Sequence, residues 1–437
     1  MNYPDFTALG VNLSELQEYA RLKVEQGDSA IVKKIIKEVE NYLHTTVNEL
    51  KNLPDDPELA AKEPDQLEEI RKLRKEGPRK IWENLPDDEE FTDKMEGALY
   101  GRIIGCLLGV PVEGWTIERM EAFCDLIGKE FPPKDYWEHI EEGYSKNVYQ
   151  RYRYEYLKSA MKEAPVDDDI IYTQVALLLM EQYGPDFTTE DVGRIWQKYI
   201  PYACTAEEVA LKNLSKGVPI DDVAMVDNPY RQWIGAAIRS DGFAYAAAGY
   251  PEKAASMAYY DGYLSHRRNG IYGEMFLASA QSAAFAVKDP VEALRIGLTE
   301  IPAECNLYRD IEWALEAGKD LKDFREARRL VDERFKGMHV VHTNNNLCLV
   351  VFGLMLGQGD FLKTVSETVA MGMDNDCTAA SAGSIIGAIV GKKNIPEYLT
   401  KRLNNTCDSY LRGVGKFKID DMAKRFMAIS KQIYMKR

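Results

Sequence analysis

Helical spacing of apolar residues dominates this 437-residue chain, and strand-like alternation is scarce. Apolar residues recur every three or four positions, with Gly, Pro or Asp/Asn clusters between the stretches, over 96–108, 169–183, 251–263, 272–286, 346–356, 361–371 and 378–390. The best alternating stretch covers only residues 339–342. The spacing therefore predicts an all-α body that is too long and too irregular for a simple four-helix bundle.

The first 92 residues differ in composition and apolar spacing from the rest of the chain. Apolar spacing predicts an amphipathic helix over 29–51 and a weaker one over 13–24, whereas 53–92 mixes prolines with dense charge of both signs. We therefore predict a helical N-terminal extension with a charged connector over 1–92, followed by one all-α body over 93–437.

Composition excludes several classes of protein. The chain has 70 acidic against 55 basic residues and a net charge of -15, the wrong sign for extended nucleic-acid binding. Its seven cysteines form no C-x-x-C pair and it has five histidines, which disfavours a disulfide framework or a Cys/His zinc site. The start lacks a basic and apolar leader, and the longest apolar run, 347–356, is about half a membrane span. We expect a cytoplasmic protein with no membrane partner.

Three consecutive carboxylates, Asp167, Asp168 and Asp169, stand directly before a strongly apolar helical stretch. One Asp at this position would act as a helix N-cap. Three adjacent carboxylates repel one another unless a cation or several hydrogen-bond donors share them. Acidic runs are usually solvated, so this triplet alone favours a solvated cap and leaves a metal site open.

A second acidic loop, Asp374-Asn375-Asp376, precedes an Ala/Gly-rich helical stretch. Its carboxylates are hard oxygen ligands that suit Mg²⁺, Mn²⁺ or Ca²⁺ better than zinc, and the loop lacks the Glu that an EF-hand would need. An Asp-x-Asp loop alone is a weak signal. Together with the triplet it offers up to five carboxylates, which makes a binuclear cation site a reasonable hypothesis.

Glycines at 97, 101, 105 and 109 recur every four residues and would line one helix face on which a partner helix can sit close. Val110-Pro111 then ends the helix and places Glu113 in a loop before Gly114. Tight packing followed by a surface Glu is the plain interpretation. A phosphate-binding glycine loop is disfavoured, because no strand precedes it and no Gly-Lys-Ser/Thr follows.

These motifs, in this order and spacing, resemble the ADP-ribosylglycohydrolase family, and the blocks at 238–242, 258–261 and 265–273 are similar to its longer bacterial branch. The resemblance covers about 93–400 and implies an all-α hydrolase with two Mg²⁺ (or Mn²⁺) ions. It implies that Asp168, Asp169, Asp374 and Asp376 are metal ligands, with Asp376 bridging and with Asp167 in place of a family Thr. A register shifted by one residue, starting at Val166, stays open.

The chain departs from the family pattern at Cys377, which stands where a Thr would ligate. Because a thiol is a poor Mg²⁺ ligand, Thr378 or a water replaces it, or one ion binds less tightly. Cys106 also replaces a usual Asp in the glycine motif. These departures bear on metal occupancy and substrate more than on the fold.

The resemblance further implies cleavage of an N- or O-glycosidic bond in an ADP-ribosylated protein or small molecule. Glu113, Asp168 and Asp169 are the implied catalytic residues, and the substrate-binding candidates are Glu113, His266, Asn269, Gly270 and Gly372. His266 and the Asn269-Gly270 pair also have plain interpretations as structural residues, and 344–346 are expected to cap a helix. The alternatives are another ribosyl or nucleoside-like N-glycoside as substrate, a relative that binds ADP-ribose without catalysis, or a crystallin-like relative that kept the fold and lost catalysis.

Overall fold

The computed structural model describes residues 13–138 and 154–435, and α-helices account for most of them. The helices of the first part are α1 (Leu13–Glu25), α2 (Ser29–Lys51), α3 (Pro57–Lys62), α4 (Leu67–Leu73), α5 (Asp88–Gly109) and α6 (Ile117–Leu126). The helices of the middle part are α7 (Asp168–Tyr183), α8 (Thr189–Tyr199), α9 (Thr205–Ser215), α10 (Ile220–Val223), α11 (Asp241–Ala246), α12 (Pro251–Gly262), α13 (Asn269–Ala284) and α14 (Pro290–Leu298).

The last part of the chain continues in the same way and adds one small sheet. Its helices are α15 (Asn306–Ala317), α16 (Phe324–Arg334), α17 (Thr343–Gly357), α18 (Phe361–Ala370), α19 (Asn375–Val390), α20 (Glu397–Arg402) and α21 (Ile419–Met435). Strands β1 (Thr406–Cys407) and β2 (Phe417–Lys418) pair antiparallel. The all-α prediction is confirmed, because the predicted helices all form, with ends within three residues of the prediction except that α5 begins eight residues earlier.

The best alternating stretch of the sequence does not form a strand. Residues 339–342 form a turn, in which His342 makes only an isolated bridge to Trp233. His342 then caps α17, since its Nδ1 accepts a hydrogen bond from the backbone nitrogen of Asn344 at 3.2 Å. Four alternating residues are too few to compete with the helix that follows.

Helices α5 and α19 are packed backbone to backbone. A Cβ atom added to a glycine of α5 would collide with α19 at these positions: Gly97 with Gly387, Gly101 with Gly383, Gly105 with Ala379, and Gly109 with Asp376. Residues of increasing number on α5 contact residues of decreasing number on α19, so the two helices run antiparallel. The predicted close-packing face is confirmed, and it brings the end of α5 to the start of α19.

Replacing Gly105 by Ala should lower the free energy of unfolding by more than about 2 kcal/mol, because the new methyl group would overlap the backbone oxygen of Ala379. A backbone atom inside two packed helices cannot move aside as a flexible side chain does. Chemical denaturation of Gly105→Ala measures the loss. Gly415→Ala is the matched control, since a Cβ there meets nothing within 4 Å, and equal stability of the two variants would contradict the prediction.

The described chain divides into two compact units, Lys62–Arg334 with His339–Arg437, and a smaller unit that comprises residues up to Ala61 with Phe335–Met338. In the smaller unit α1 and α2 form as predicted, and neither helix contains a buried residue. Residues 62–92, which the sequence analysis assigned to the extension, group with the larger unit. Leu67 and Ile70 are buried there, and the Tyr272 hydroxyl donates to the backbone oxygen of Pro64 at 2.5 Å.

One helix among the described residues is long and apolar enough to cross a membrane. It is the segment Asp88–Val112, which contains α5, and 94% of its apolar window is buried inside the protein. Its apolar residues pack against α19 and other helices of the larger unit. The segment is therefore a core helix in this structure.

Candidate active site

The Asp triplet forms the start of α7 and is mostly buried. Asp167 is the N-cap, and its Oδ1 accepts a hydrogen bond from the backbone nitrogen of Asp169 at 3.0 Å. The predicted cap is thus confirmed. The triplet is not solvated, however, because Asp167 is 5% and Asp169 1% exposed.

The second acidic loop turns sharply into α19. Gly372 and Met373 have φ angles of +70° and +60°, two successive left-handed residues, and a Cβ on Gly372 would lie 2.8 Å from the backbone oxygen of Trp115. The backbone nitrogen of Gly114 donates to the backbone oxygen of Met373 at 2.9 Å. This bond ties the loop that carries Glu113 to the loop that carries Asp374.

Three groups of side chains each place their possible ligand atoms within 4.8 Å of one another: Asp167, Asp168 and Asp169; Asp169, Asp376 and Cys377; Glu113, Asp374 and Asp376. Asp169 belongs to the first two groups and Asp376 to the last two, so the groups form one continuous cluster. We call these seven residues the acidic centre. The fold thus brings together both acidic motifs and Glu113, which is the exposed member.

Burial and mutual repulsion disfavour the charged forms of these carboxylates. Burial, reinforced by Asp168, raises the pKa of Asp167 well above its usual range, and burial reinforced by Asp376 does the same for Asp374. Burial also raises the pKa of Asp169 and of Asp376 to about 7. Close carboxylates in a poorly solvated place are stabilised by a cation that shares their charge.

The residues of the acidic centre fit divalent cations. Asp376 is 5% exposed, and its Oδ1 is buried without a hydrogen-bond partner among the described residues. A buried carboxylate oxygen is rarely left in this state, and a cation is one way to satisfy it. Most of the atoms in the centre that could ligate a cation are carboxylate oxygens, which suit Mg²⁺ or Mn²⁺.

Cys377 is a member of the acidic centre, and Thr378 is the next residue along the chain. The Cys377 Sγ donates to Asp169 Oδ2 at 3.1 Å, and burial raises the pKa of the thiol well above its usual range. Thr378 is fully buried, and its Oγ1 has no hydrogen-bond partner among the described residues.

A buried arginine that the sequence analysis did not identify holds the triplet in place. Arg102, on α5, is 1% exposed and donates to the backbone oxygen of Asp169 at 2.9 Å and to its Oδ1 at 2.5 Å. It also forms an ion pair with Asp241 at 3.0 Å, and it donates to the Ile238 backbone oxygen and the Ser381 hydroxyl. An Arg inside the apolar glycine stretch was the one available signal.

Arg102→Met should lower the free energy of unfolding by about 3–5 kcal/mol, because it leaves Asp169 and Asp241 buried without their positive partner. Urea unfolding of the cation-free protein measures the effect. Arg425→Met is the control, because its ion pair with Glu181 at 2.7 Å is partly exposed and surface pairs contribute about 0–1 kcal/mol. A loss for Arg102→Met as small as that of the control would mean that Arg102 is not needed to compensate these carboxylates.

The central candidates from the sequence have contacts away from the acidic centre. His266 is fully buried and its Nδ1 shares a hydrogen bond of 2.8 Å with Ser265, which also accepts from Arg239. Asn269 donates to Gln232 at 2.8 Å and accepts from the Leu307 backbone nitrogen at 2.9 Å, which joins α13 to α15. These hydrogen bonds agree with structural roles, and substrate contacts of the two residues stay a prediction.

The remaining candidates, Gly270 and residues 344–346, also make packing contacts or hydrogen bonds within the fold. A Cβ on Gly270 would lie 2.5 Å from the Arg231 backbone oxygen and 2.9 Å from His266 Cδ2. The expectation that 344–346 cap α17 is wrong, because His342 is the cap. Asn345 and Asn346 donate to the backbone of the preceding turn, and Asn344 donates to Asp310 of α15 at 2.8 Å. Asn346 Oδ1 accepts from the Asp374 backbone nitrogen at 3.4 Å, so this residue supports the acidic loop.

An all-helical fold in which two helix starts and a loop converge on a buried acidic centre is an architecture that suits a divalent-cation site. The family described as ADP-ribosylglycohydrolase matches residues 87–433. The chain therefore belongs to the ADP-ribosylglycohydrolase family, as the motifs predicted. This family is metal-dependent and acts on ADP-ribosylated substrates, which supports a hydrolase of this type.

The fold is similar to that of a solved ADP-ribosylglycohydrolase-related protein complex, with a TM-score of 0.52 and 18% sequence identity. The match covers 78% of this chain and 99% of the other chain. At this level of identity the likeness shows the fold alone. No curated protein matches the chain in sequence.

Proposed function

We propose that the protein is a metal-dependent glycosidase that hydrolyses the N- or O-glycosidic bond between an ADP-ribosyl group and its acceptor. The observation that supports it most directly is the convergence of Glu113 with Asp374 and Asp376, next to Asp169 and the rest of the triplet. Helix packing brings these carboxylates together, but it does not compensate for their burial and mutual repulsion. A cation centre with an exposed carboxylate at its rim supplies that compensation.

In this proposal the centre holds two divalent cations, Mg²⁺ or Mn²⁺. Asp374 and Asp376 would hold one, Asp169 and Asp376 the other, and Asp167 and Asp168 complete the charge around them. Bound divalent cations supply positive charge that orients hydroxyl oxygens and acidifies water. They would also make an acidic centre, in a chain with a net charge of -15, acceptable to an anionic ADP-ribosyl group.

Glu113 has the place of a proton-transferring group in this proposal. It follows the buried turn Val110–Val112, and the hydrogen bond from Gly114 to Met373 anchors its loop. Its side chain is exposed while its carboxylate lies within 4.8 Å of the ligand atoms of Asp374 and Asp376. A carboxylate that reaches both solvent and the centre can accept a proton from water and release it to bulk.

Product analysis by mass spectrometry tests the proposal. The full-length protein is incubated with acceptors ADP-ribosylated on arginine, on serine, on a nucleobase and on a small molecule, with Mg²⁺, with Mn²⁺ and with chelator. We expect free ADP-ribose from at least one acceptor, only in the presence of a divalent cation. Release from another ribosyl N-glycoside alone would change the substrate class, and binding of ADP-ribose without any release would make the protein a non-catalytic relative.

A location in the cytoplasm stays a prediction.

A further inference from the structure

We infer that Cys377 divides the proposed cation centre into two unlike halves: an all-oxygen half for Mg²⁺ or Mn²⁺, and a half with one sulfur ligand that selects a thiophilic divalent cation such as Zn²⁺, Fe²⁺ or Co²⁺. This inference rests on the cation centre of the proposed function. It concerns which ion occupies the second position, and hence which metal the working protein needs.

The two halves share Asp376 and differ in their other members. The all-oxygen half consists of Glu113, Asp374 and Asp376, and the mixed half consists of Asp169, Asp376 and Cys377. Within each half the possible ligand atoms lie within 4.8 Å of one another. Cys377 is 7% exposed, so its sulfur faces the centre from inside the protein rather than from the surface.

A second observation shows that the mixed half has unused coordinating capacity. The Oδ1 of Asp376 is buried without a hydrogen-bond partner among the described residues. The Cys377 sulfur donates to Asp169 Oδ2 at 3.1 Å and also lies within hydrogen-bonding reach of Asp374. Two carboxylates and a sulfur therefore surround one position, and Arg102 contacts Asp169 through Oδ1 while the sulfur contacts Oδ2.

Helix geometry disfavours Thr378 as a replacement ligand. Both residues lie in the first turn of α19, where successive side chains are rotated by roughly 100° from each other. Since Cys377 points to Asp169, Thr378 points elsewhere. The helix cannot rotate to exchange them, because the Cα atom of Asp376 is in close contact with Gly109 of α5.

The chemistry of sulfur then decides between cations. Mg²⁺ takes hard oxygen ligands and dehydrates reluctantly, so a sulfur in its place weakens binding. Zn²⁺, Fe²⁺ and Co²⁺ accept thiolate together with carboxylate, and affinity for such mixed sites rises along the first-row series towards copper. Coordination uses the thiolate, and the proton that leaves the Cys377 sulfur passes to solvent when the cation binds.

Cobalt titration of the full-length, cation-free protein tests the inference without an activity assay. Co²⁺ bound to a thiolate gives a near-ultraviolet charge-transfer band, which carboxylate ligands do not give. We expect this band in the parent protein and its complete loss in Cys377→Thr, which restores the hydroxyl of the family pattern. Cys348→Ser is the matched control, because it changes another buried free cysteine and should leave the band intact.

The outcomes separate the inference from the proposed function. If neither Co²⁺ nor Mg²⁺ binds the parent protein, the cation centre itself is wrong. If Co²⁺ binds without the band, or if the band survives in Cys377→Thr, the centre stands and the sulfur ligand is wrong. Cys106→Ser tests the other buried thiol next to α7. Loss of the band in that variant alone would identify Cys106 as the sulfur ligand.

A measurement on the unaltered protein covers the case in which Cys377→Thr fails to fold. Cd²⁺ gives its own thiolate charge-transfer band, and competition with Mg²⁺ should leave this band in place while Mg²⁺ occupies the all-oxygen half. Displacement of Cd²⁺ by low concentrations of Mg²⁺ would contradict the inference, because it would mean that both halves prefer a hard cation.

Discussion

Asp376→Ala should abolish binding of at least one divalent cation and lower glycosidase turnover by at least about 10²-fold. Asp376 is the one side chain that both halves of the proposed cation centre share, so its removal weakens both at once. Loss of a partner that only orients a metal ligand already costs about 10–100-fold in affinity or activity, and loss of a shared ligand should exceed that range. Calorimetric titration with Mg²⁺ and Mn²⁺ measures the binding, and ADP-ribose release measures the turnover.

Stability measurements distinguish this loss from simple misfolding. Burial raises the pKa of Asp376 to about 7 in the folded protein, above its value of 3.8 in an unfolded chain. A carboxyl group with a raised folded pKa loses its contribution to stability as the pH rises through that value. At about pH 8, the cation-free variant should therefore be at least as stable as the parent.

Asp186→Ala is the control for Asp376→Ala, since its side chain is 64% exposed and pairs with Lys253 at the surface. It should bind cations and turn over like the parent. Parental cation binding by Asp376→Ala would show that the acidic centre does not hold the ion, and the site assignment would then be wrong.

Glu113→Gln should lower kcat by roughly 10²-fold or more, the usual scale for the loss of a general acid or base. The amide keeps the shape and one oxygen of the side chain but cannot accept a proton. Since proton transfer is felt mainly in the transition state, KM should change little. Cation affinity should change far less than in Asp376→Ala, because Glu113 is the exposed member of its group and Gln keeps an oxygen ligand.

Glu118→Gln provides the matched control, because Glu118 is an exposed carboxylate five positions further along the chain, in α6. Its turnover should equal that of the parent. If Glu113→Gln also keeps parental turnover, Glu113 is a surface residue past a helix end, and proton transfer must involve the Asp residues of the centre.

Much of this fold follows from local patterns. The four-residue glycine spacing in α5 predicted a close helix contact, and α19 supplies it, because its own Gly and Ala residues leave the matching backbone open. Asp167 was recognisable as a cap since capping depends only on the residues that follow it. The 339–342 stretch alternates in sequence but forms no strand, because four residues carry too little information to specify one.

The supporting contacts of the site could not be predicted in the same way. Arg102 and Asp169 are 67 positions apart, and Asp374 and Asn346 are 28 apart, so no local pattern links either pair. In the sequence, Arg102 is a charged residue that interrupts an apolar helix. Its burial becomes favourable only where Asp169 and Asp241 meet it.

Local spacing and capping preferences were enough to determine the helical class of the body and the position of both acidic motifs at helix starts. These properties depend on backbone hydrogen bonds and side chains within a few residues of each other. The meeting of the motifs is a different matter. It requires the antiparallel contact of α5 with α19, the left-handed turn at Gly372 and Met373, and the bond from Gly114 to Met373. These contacts join segments that are distant in the sequence, so the motifs suggested a shared site but only the tertiary structure brings their side chains together.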